Sequence, residues 1–283
     1  MLFPLLFLFS SLKSNKFTSL LIAQMQERHK DRALYFKEQG VTTLKYVVPY
    51  VNSVKNIDKN SRVLEVGCGE GGNLSPFLDM GCEVVGVDIS TSQIEKAKEY
   101  LQEGKYEKWQ VIARDIYRMS VEEVGKFDLI FLRDVIEHIP NQEEFFKIIK
   151  VFLKDEGVIF FGFPPWRMPF GGHQQVCKSK LLSLLPYYHI LPYGIYKAVL
   201  RLFGEDEKII ESLVEIKDTG ISISRFKRLI KKENYKVLKQ TYFLINPNYE
   251  TKFGLKRRVL PSIFQIPHLC DFYTTAMYCI IKK

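Results

Sequence analysis

A group of glycines and acids follows the first apolar strand of the sequence, in the stretch RVLEVGCGEGGNL, residues 62–74. Glycine lets a backbone approach a ligand closely, and such a loop before a helix is a common site for a nucleotide-containing cofactor. Gly67, Gly69 and Gly72 have the G-x-G-x-x-G spacing of dinucleotide sites. With Gly71 as the third member, the spacing becomes the G-x-G-x-G of loops that wrap S-adenosylmethionine. The glycines alone leave both cofactors open.

Two acidic residues, Glu65 and Glu70, lie beside and inside this loop. A pyrophosphate on a helix N-terminus needs hydrogen-bond donors and no nearby anion, so these carboxylates disfavour a dinucleotide. S-adenosylmethionine has no phosphate and carries a sulfonium and an ammonium group, next to which an acid is tolerated. Asp88 ends the second predicted strand and can accept hydrogen bonds from ribose hydroxyls in either cofactor. The charges therefore favour S-adenosylmethionine.

One histidine is predicted to take part in catalysis. His173 follows the fifth predicted strand, and the carboxyl ends of strands in an open α/β sheet face the ligand crevice. If the group that reacts with the cofactor is a hydroxyl, a general base helps, and an imidazole can take the proton. The alternative is that His173 only caps a turn. No metal site is predicted, because none of the five histidines has a histidine or carboxylate partner at ligand spacing.

Alternating strands and helices are expected to position these residues. Short apolar strands alternate with amphipathic helices from residue 59 to residue 163, which is typical of βαβ units on a parallel sheet. The predicted strands are RVLEV, EVVGVD, WQVIARD, FDLIFL and GVIFFGF. Ser90 and Gln93 form the S-x-x-Q capping box of a helix after the second strand. The pattern predicts an α/β fold.

Four segments in this order and spacing carry a family resemblance: VLEVGCGEGGNL, VVGVDIS, VIARDI and FDLIFLRDVIEHI. Together they resemble the class I S-adenosylmethionine-dependent methyltransferases, in particular the bacterial group with a single Rossmann-like domain. The resemblance is strong over residues 59–162. It implies a sheet of seven strands with the last one antiparallel, S-adenosylmethionine as cofactor, and methyl transfer as the reaction.

The resemblance also implies roles for individual residues. One set is implied to form the loop around the methionine part of the cofactor: Glu65, Gly67, Cys68, Gly69 and Gly71. A second set is implied to contact the ribose and the adenine: Asp88, Ile89, Asp115 and Ile116. Arg133 and Asp134 are implied to line the methionine side. Glu137 and His138 belong to the same motif and are assigned a structural role.

The composition of the 283 residues fits one domain with insertions. The cysteines number five and form no C-x-x-C pair, so a disulfide framework is disfavoured and a reducing cytoplasm is expected. Residues 151–283 carry 21 Lys and Arg against 11 Asp and Glu. The whole basic excess therefore lies in the second half, where an acidic partner would be attracted.

Two regions are expected to lie outside the regular pattern. Residues 1–24 begin with an apolar run too short to span a bilayer, and they are predicted to be a mis-set start or loose leader. A membrane anchor and a signal peptide are the alternatives. The methyltransferase domain is expected over residues 25–283. Within it, residues 164–218 are predicted to be an inserted α-helical lid after strand 5.

The insertion has a second interpretation. Residues 178–203 combine apolar and aromatic side chains with lysine and arginine, which also suits peripheral contact with a membrane. Pro186, Pro192 and Gly194 interrupt the segment too often for one long interfacial helix. The lid is therefore the favoured interpretation.

The expected reaction is methyl transfer to a small or medium-sized acceptor, with oxygen favoured over nitrogen and an amphiphilic or acidic molecule favoured by the basic second half. A nucleic-acid acceptor is disfavoured, because the Asn/Asp-Pro-Pro-aromatic motif of base-amine methylation is absent after the fourth strand and no RNA-binding module is visible. A protein that binds the cofactor but is inactive and docks at membranes is the remaining alternative. The acceptor and the oligomeric state stay open.

Overall fold

The computed structural model describes residues 31–283. The predicted leader, residues 1–24, lies outside the described residues. The strands are β1 (Arg62–Val66), β2 (Glu83–Asp88), β3 (Trp109–Ala113), β4 (Phe127–Arg133), β5 (Leu153–Phe163), β6 (Lys236–Ile245), β7 (Arg258–Val259) and β8 (Ala276–Lys282). The helices of the first half are α1 (Arg32–Thr42), α2 (Val48–Asn52), α3 (Ser75–Asp79), α4 (Thr91–Glu103), α5 (Val121–Val124) and α6 (Gln142–Ile148). Those of the second half are α7 (Lys180–Leu184), α8 (Tyr193–Leu202), α9 (Glu207–Thr219), α10 (Ile223–Lys232) and α11 (Asn248–Phe253).

The strands form one sheet in the order β3-β2-β1-β4-β5-β8-β6-β7. Strands β1 to β5 run parallel to one another, and β8 runs antiparallel between β5 and β6. The predicted α/β class and the reversed last strand are therefore confirmed. The predicted count of seven strands is one too low. The additional strand, β7, has only two residues on the edge of β6, which is too short to produce a periodic pattern in the sequence.

The central strands are nearly continuous apolar runs because helices cover both faces of the sheet. On one face, Phe146, Phe161 and Phe226 pack together with ring centroids 5.1 to 5.7 Å apart. On the other face, Phe77 and Phe131 are fully buried with centroids 5.2 Å apart. Residues 129–133 of β4 and 157–163 of β5 are all buried, so the alternation typical of half-exposed strands is absent there.

The connection into β5 differs from the sequence prediction. The amphipathic pattern predicts one helix over residues 141–154, but α6 ends at Ile148 and a tight 3₁₀ turn continues to Phe152. β5 then begins at Leu153, which pairs with Phe127 at the start of β4. Phe152 and Leu153 are fully buried, and buried apolar residues of this kind fit the end of a helix or the start of a strand equally well in the sequence.

The N-terminal helix covers the glycine loop. Asp31 caps α1 by accepting a hydrogen bond from the backbone N–H of Leu34 (2.9 Å). The chain then passes through a π-helical turn, Thr43–Val47, into α2. At Gly72 the two backbones are so close that a Cβ atom would lie 2.5 Å from the Phe36 carbonyl oxygen. The third glycine of the dinucleotide spacing therefore serves helix packing.

The insertion between β5 and α10 is helical, as predicted, and has a small apolar core of its own. This core is formed by side chains of α7, α8 and α9 and the connections between them, including Leu182, Tyr188, Tyr196, Leu200 and Leu213. Other apolar side chains of the insertion are exposed. Across residues 31–283, no helix is both long enough and apolar enough to cross a membrane.

Candidate active site

The carboxyl ends of β1 to β4 open onto a cleft of about 630 Å³. This is where the loops after parallel strands converge, and the volume is in the range of ligand sites. Nine of the predicted cofactor residues line the cleft: Gly67, Cys68, Gly69, Asp88, Ile89, Asp115, Ile116, Arg133 and Asp134. Ile89 is largely exposed, as expected of a side chain that would lie flat against a planar ring.

Three predicted site residues lie away from the cleft wall. Glu65 is completely buried behind the loop, where it accepts a hydrogen bond from Asn73 Nδ2 (2.7 Å), and burial raises its pKa well above the usual value. Gly71 faces α4, since a Cβ atom there would meet Ala97 at 3.5 Å. His173 stands next to His138, which does line the cleft.

The glycine loop has the backbone geometry of a ligand loop. Gly67 and Gly69 adopt positive φ angles of 70° and 53°. The carboxylate of Asp88 accepts hydrogen bonds from the backbone N–H groups of Gly69 and Ser90, both at 2.9 Å. Asp88 therefore joins the loop to the start of α4. Each of its oxygens retains a lone pair that a ribose hydroxyl can use.

The negative charge of Glu70 is balanced inside the protein. The carboxylate is almost fully buried, accepts a hydrogen bond from Arg32 Nε (2.7 Å), and lies 3.8 Å from Lys96 Nζ. The repulsion of a pyrophosphate by Glu70 is therefore weaker than the sequence suggested. Arg32 could not be recognised from the sequence, because no motif places α1 over this loop.

Arg133 is the centre of a buried hydrogen-bond network. Its guanidinium Nη1 donates to Asn73 Oδ1 (2.6 Å), Thr43 Oγ1 (3.0 Å) and the Gln39 carbonyl (3.1 Å). Nη2 donates to Asn248 Oδ1. The network therefore connects the end of β4 to α1, to the loop after β1 and to α11. Asn73 also binds Glu65, so the buried carboxylate is linked to the buried cation.

The roof of the cleft comes from segments that the sequence did not single out. Tyr35 and Gln39 of α1 and Asn248 and Lys252 of α11 line the cleft opposite the strand ends. The predicted lid, 164–218, contributes no lining residue to it. The roof was missed because α1 and α11 carry no motif and lie about 200 residues apart in the chain.

The motif after β4 places acid and imidazole groups at one end of the cleft. Glu137 and His138 lie in a 3₁₀ turn, Ile136–His138, and the rings of His138 and His173 lie with centroids 4.9 Å apart. Burial raises the pKa of Glu137 well above its usual value, and the charge of Asp134 adds to the effect. Burial lowers the pKa of His173 to about 4, so its imidazole is neutral at physiological pH.

Known proteins support this description of the fold. Residues 57–182 match a protein-family model described as a methyltransferase domain. The plantazolicin methyltransferase BpumL, solved with a triazolic desmethylPZN analog and S-adenosylhomocysteine, aligns with a TM-score of 0.54 at 15% identity over 97% of this chain and 92% of that chain. Coclaurine N-methyltransferase, bound to N-methylheliamine and S-adenosylhomocysteine, also aligns at 0.54, with 15% identity over 84% and 72% of the two chains.

Curated methyltransferases also match part of this chain. The ubiquinone biosynthesis O-methyltransferase of Pelagibacter ubique (strain HTCC1062) is 29% identical over 130 residues, which cover 46% of this chain and 50% of the relative. The chain thus spans about half the length of the curated relatives that it matches. The structural alignments show a class I methyltransferase fold, and residues 57–182 match the methyltransferase domain model. The resemblance inferred from the four sequence segments is confirmed.

Proposed function

We propose that this chain transfers the methyl group of S-adenosylmethionine to an oxygen atom of a small or medium-sized acceptor. The observation that carries the proposal is the cleft itself, because nine residues of the four motifs converge on it from four strand ends. Solved proteins of this fold hold S-adenosylhomocysteine, and the curated relatives are named O-methyltransferases. The names of these relatives support oxygen as the accepting atom.

In the proposed reaction, the protein's main work is positioning. The methyl carbon is already activated by the positively charged sulfur, so the acceptor oxygen must be held in line with the carbon–sulfur bond, with water excluded. The oxygen forms the new bond to carbon, and sulfur keeps the electron pair of the broken bond. Asp88 would hold the ribose, and Asp134 would face the methionine side. His173, beside His138, is proposed to act at the acceptor.

The cofactor assignment predicts a selective binding result. Calorimetry is expected to show binding of S-adenosylhomocysteine and no measurable binding of NAD or NADP. The Asp88 carboxylate already accepts from the Gly69 N–H, and α1 covers Gly72, so the loop does not offer the free donors that a pyrophosphate needs. Asp88→Ala should weaken S-adenosylhomocysteine binding by about 1–3 kcal/mol, roughly 5- to 140-fold, since the acceptors for the ribose hydroxyls are lost.

A matched control separates the cleft from general charge effects. Asp206→Ala removes an exposed aspartate that pairs with Lys178 and lies outside the cleft, so it should leave the affinity unchanged. Comparable affinity for NAD, or an Asp88→Ala variant that binds like the unaltered protein, would show that the cleft is not a site for S-adenosylmethionine.

We propose further that the insertion, residues 164–218, closes over the acceptor rather than docking on a membrane. The ring of His173, which belongs to the insertion, lies beside His138 at the end of the cleft. Two of its cations are already neutralised, since Lys178 pairs with Asp206 and Arg201 pairs with Glu207 at 2.7 Å. Anionic lipid would therefore meet a weaker charge than the sequence suggests.

This proposal predicts that S-adenosylhomocysteine slows proteolysis within 164–218, because a lid is less mobile when the site beneath it is filled. Mass spectrometry of timed digests would locate the cuts, and cuts within residues 255–269 serve as the internal control. Anionic liposomes should capture little protein at physiological salt. Strong liposome capture that salt abolishes, together with unchanged proteolysis, would assign the insertion to the membrane.

A further inference from the structure

Three side chains that can bind a metal meet at the end of the cleft. Glu137, His138 and His173 each offer one ligand atom, and these atoms all lie within 4.8 Å of one another. His138 also lines the cleft. In the sequence the third member is 35 positions away, so ligand spacing gave no sign of the cluster. The set of one carboxylate and two imidazoles is typical of catalytic zinc sites, which keep further positions open for water or substrate.

The carboxylate of Glu137 is the second observation that points to a ligand. The side chain is 4% exposed, and neither of its oxygens accepts a hydrogen bond from another residue within 31–283. A carboxylate removed from water without a partner is costly, and such groups are normally paired or bound to a metal. No other described residue pairs with the Glu137 carboxylate, so its oxygens are available to a bound ion.

The surrounding backbone holds the cluster in place. Thr219 Oγ1 donates to the Glu137 carbonyl (2.6 Å), and Gln142 Nε2 donates to the Ile136 carbonyl (2.9 Å). His173 has a φ of 54°, in the left-handed region that residues other than glycine rarely adopt. Unfavourable backbone conformations of this kind concentrate at functional sites. The imidazole of His173 is therefore presented to His138 at some conformational cost.

We propose that Glu137, His138 and His173 bind a divalent cation of the zinc type, which holds the acceptor oxygen next to the methyl group. Imidazole ligands favour zinc and its transition-metal neighbours over magnesium. Three protein ligands leave at least one coordination position for the acceptor. The role of the ion rests on the proposed methyl transfer, whereas the binding of the ion can be measured without it.

The ion would replace a free general base. A hydroxyl bound to a divalent cation loses its proton to water more readily, as metal-bound water does. The resulting oxygen anion attacks the methyl carbon, the carbon–sulfur bond breaks, and S-adenosylhomocysteine leaves with the electron pair on sulfur. No oxidation occurs. His173 is then a metal ligand and takes no proton.

The test is a titration of the full-length, chelator-treated protein with Co²⁺, followed by visible absorption, and with Zn²⁺, followed by calorimetry. One ion per chain is expected, with Mg²⁺ unable to compete at equal concentration. His173→Ala and Glu137→Gln should each weaken binding at least about 10-fold, which is the loss that even outer-sphere changes cause. Zn²⁺ should also raise the melting temperature of the unaltered protein but not of His173→Ala.

His268→Ala is the matched control, because this histidine is exposed, hydrogen-bonded to Ser224, and outside the cluster. It should bind Co²⁺ like the unaltered protein. Equal binding by His173→Ala and the unaltered protein, or no binding by the unaltered protein, would overturn the metal site. S-adenosylhomocysteine calorimetry on the same samples separates the two proposals. Cofactor binding without metal binding defeats only the metal site, and metal binding without cofactor binding defeats only the methyltransferase assignment.

Discussion

Arg133→Met is expected to lower the free energy of unfolding by about 3–5 kcal/mol, the range for removing one partner of a buried ionic network. Arg133 is 7% exposed, and its guanidinium donates to groups from α1, the glycine loop and α11. Methionine fills much of the same volume but donates no hydrogen bond. Asn248 Oδ1 would then lose its donor, and buried Glu65 would lose its nearby positive charge. Asn73 and Thr43 would keep only the hydrogen bond between them (2.8 Å). Urea denaturation followed by circular dichroism measures the loss.

Two further variants test the cause of that loss. Arg114→Met removes an arginine whose pair with Glu123 is exposed, so it should cost only about 0–1 kcal/mol. Adding Glu65→Gln to Arg133→Met should recover part of the stability, because the neutral amide of glutamine does not need a buried positive charge beside it. An Arg133→Met variant with the urea midpoint of the unaltered protein would mean that the network contributes little to folding.

Gly67→Ala is expected to destabilise the protein by about 2–4 kcal/mol, combining a left-handed backbone with overpacking. Gly67 has a φ of 70°, and a Cβ atom there would lie 2.6 Å from both methyl groups of Val135. Because Val135 lines the cleft, the same change should also displace the wall against which the cofactor would bind. Thermal melting measures the first effect, and S-adenosylhomocysteine calorimetry the second.

The clash and the backbone strain can be separated experimentally. Val135→Ala in the Gly67→Ala background removes the clashing methyl groups, so it should recover the overpacking part, about 1–3 kcal/mol, and leave the part due to positive φ. Gly194→Ala is the matched control, because no heavy atom lies within 4 Å of its Cβ position and its φ is not positive. It should leave stability unchanged or slightly higher. A Gly67→Ala protein as stable as the Gly194→Ala control would refute the geometric argument.

The two large predictions concern the same part of the molecule from opposite sides. Gly67 sets the path of the loop after β1, and Arg133 ties that loop to the roof formed by α1 and α11. A cofactor in the cleft would touch both. Both residues line the cleft, and in-line transfer of a methyl group needs a site whose walls are held in place.

Local patterns in the sequence were sufficient for the α/β class, the five parallel strands and most of the cleft floor. Strand and helix periods are properties of neighbouring residues, and the glycines and acids follow strand ends directly. Asp88, Asp115 and Arg133 all lie at or just after the carboxyl ends of their strands. The rule that such ends meet at one edge of a parallel sheet then placed them together without any knowledge of distant contacts.

Only the tertiary structure decided the roof of the cleft, the balance of charge beneath it and the cluster at its end. Arg32 neutralises Glu70, and Asn248 reaches Arg133, across 38 and 115 positions of the chain. His173 lies close to Glu137 because β4 and β5 are parallel neighbours. The segments that follow their carboxyl ends therefore lie side by side. Contacts of this kind depend on how whole helices and strands pack against one another. Neither the hydrophobic periodicity nor a motif within a single segment can predict them.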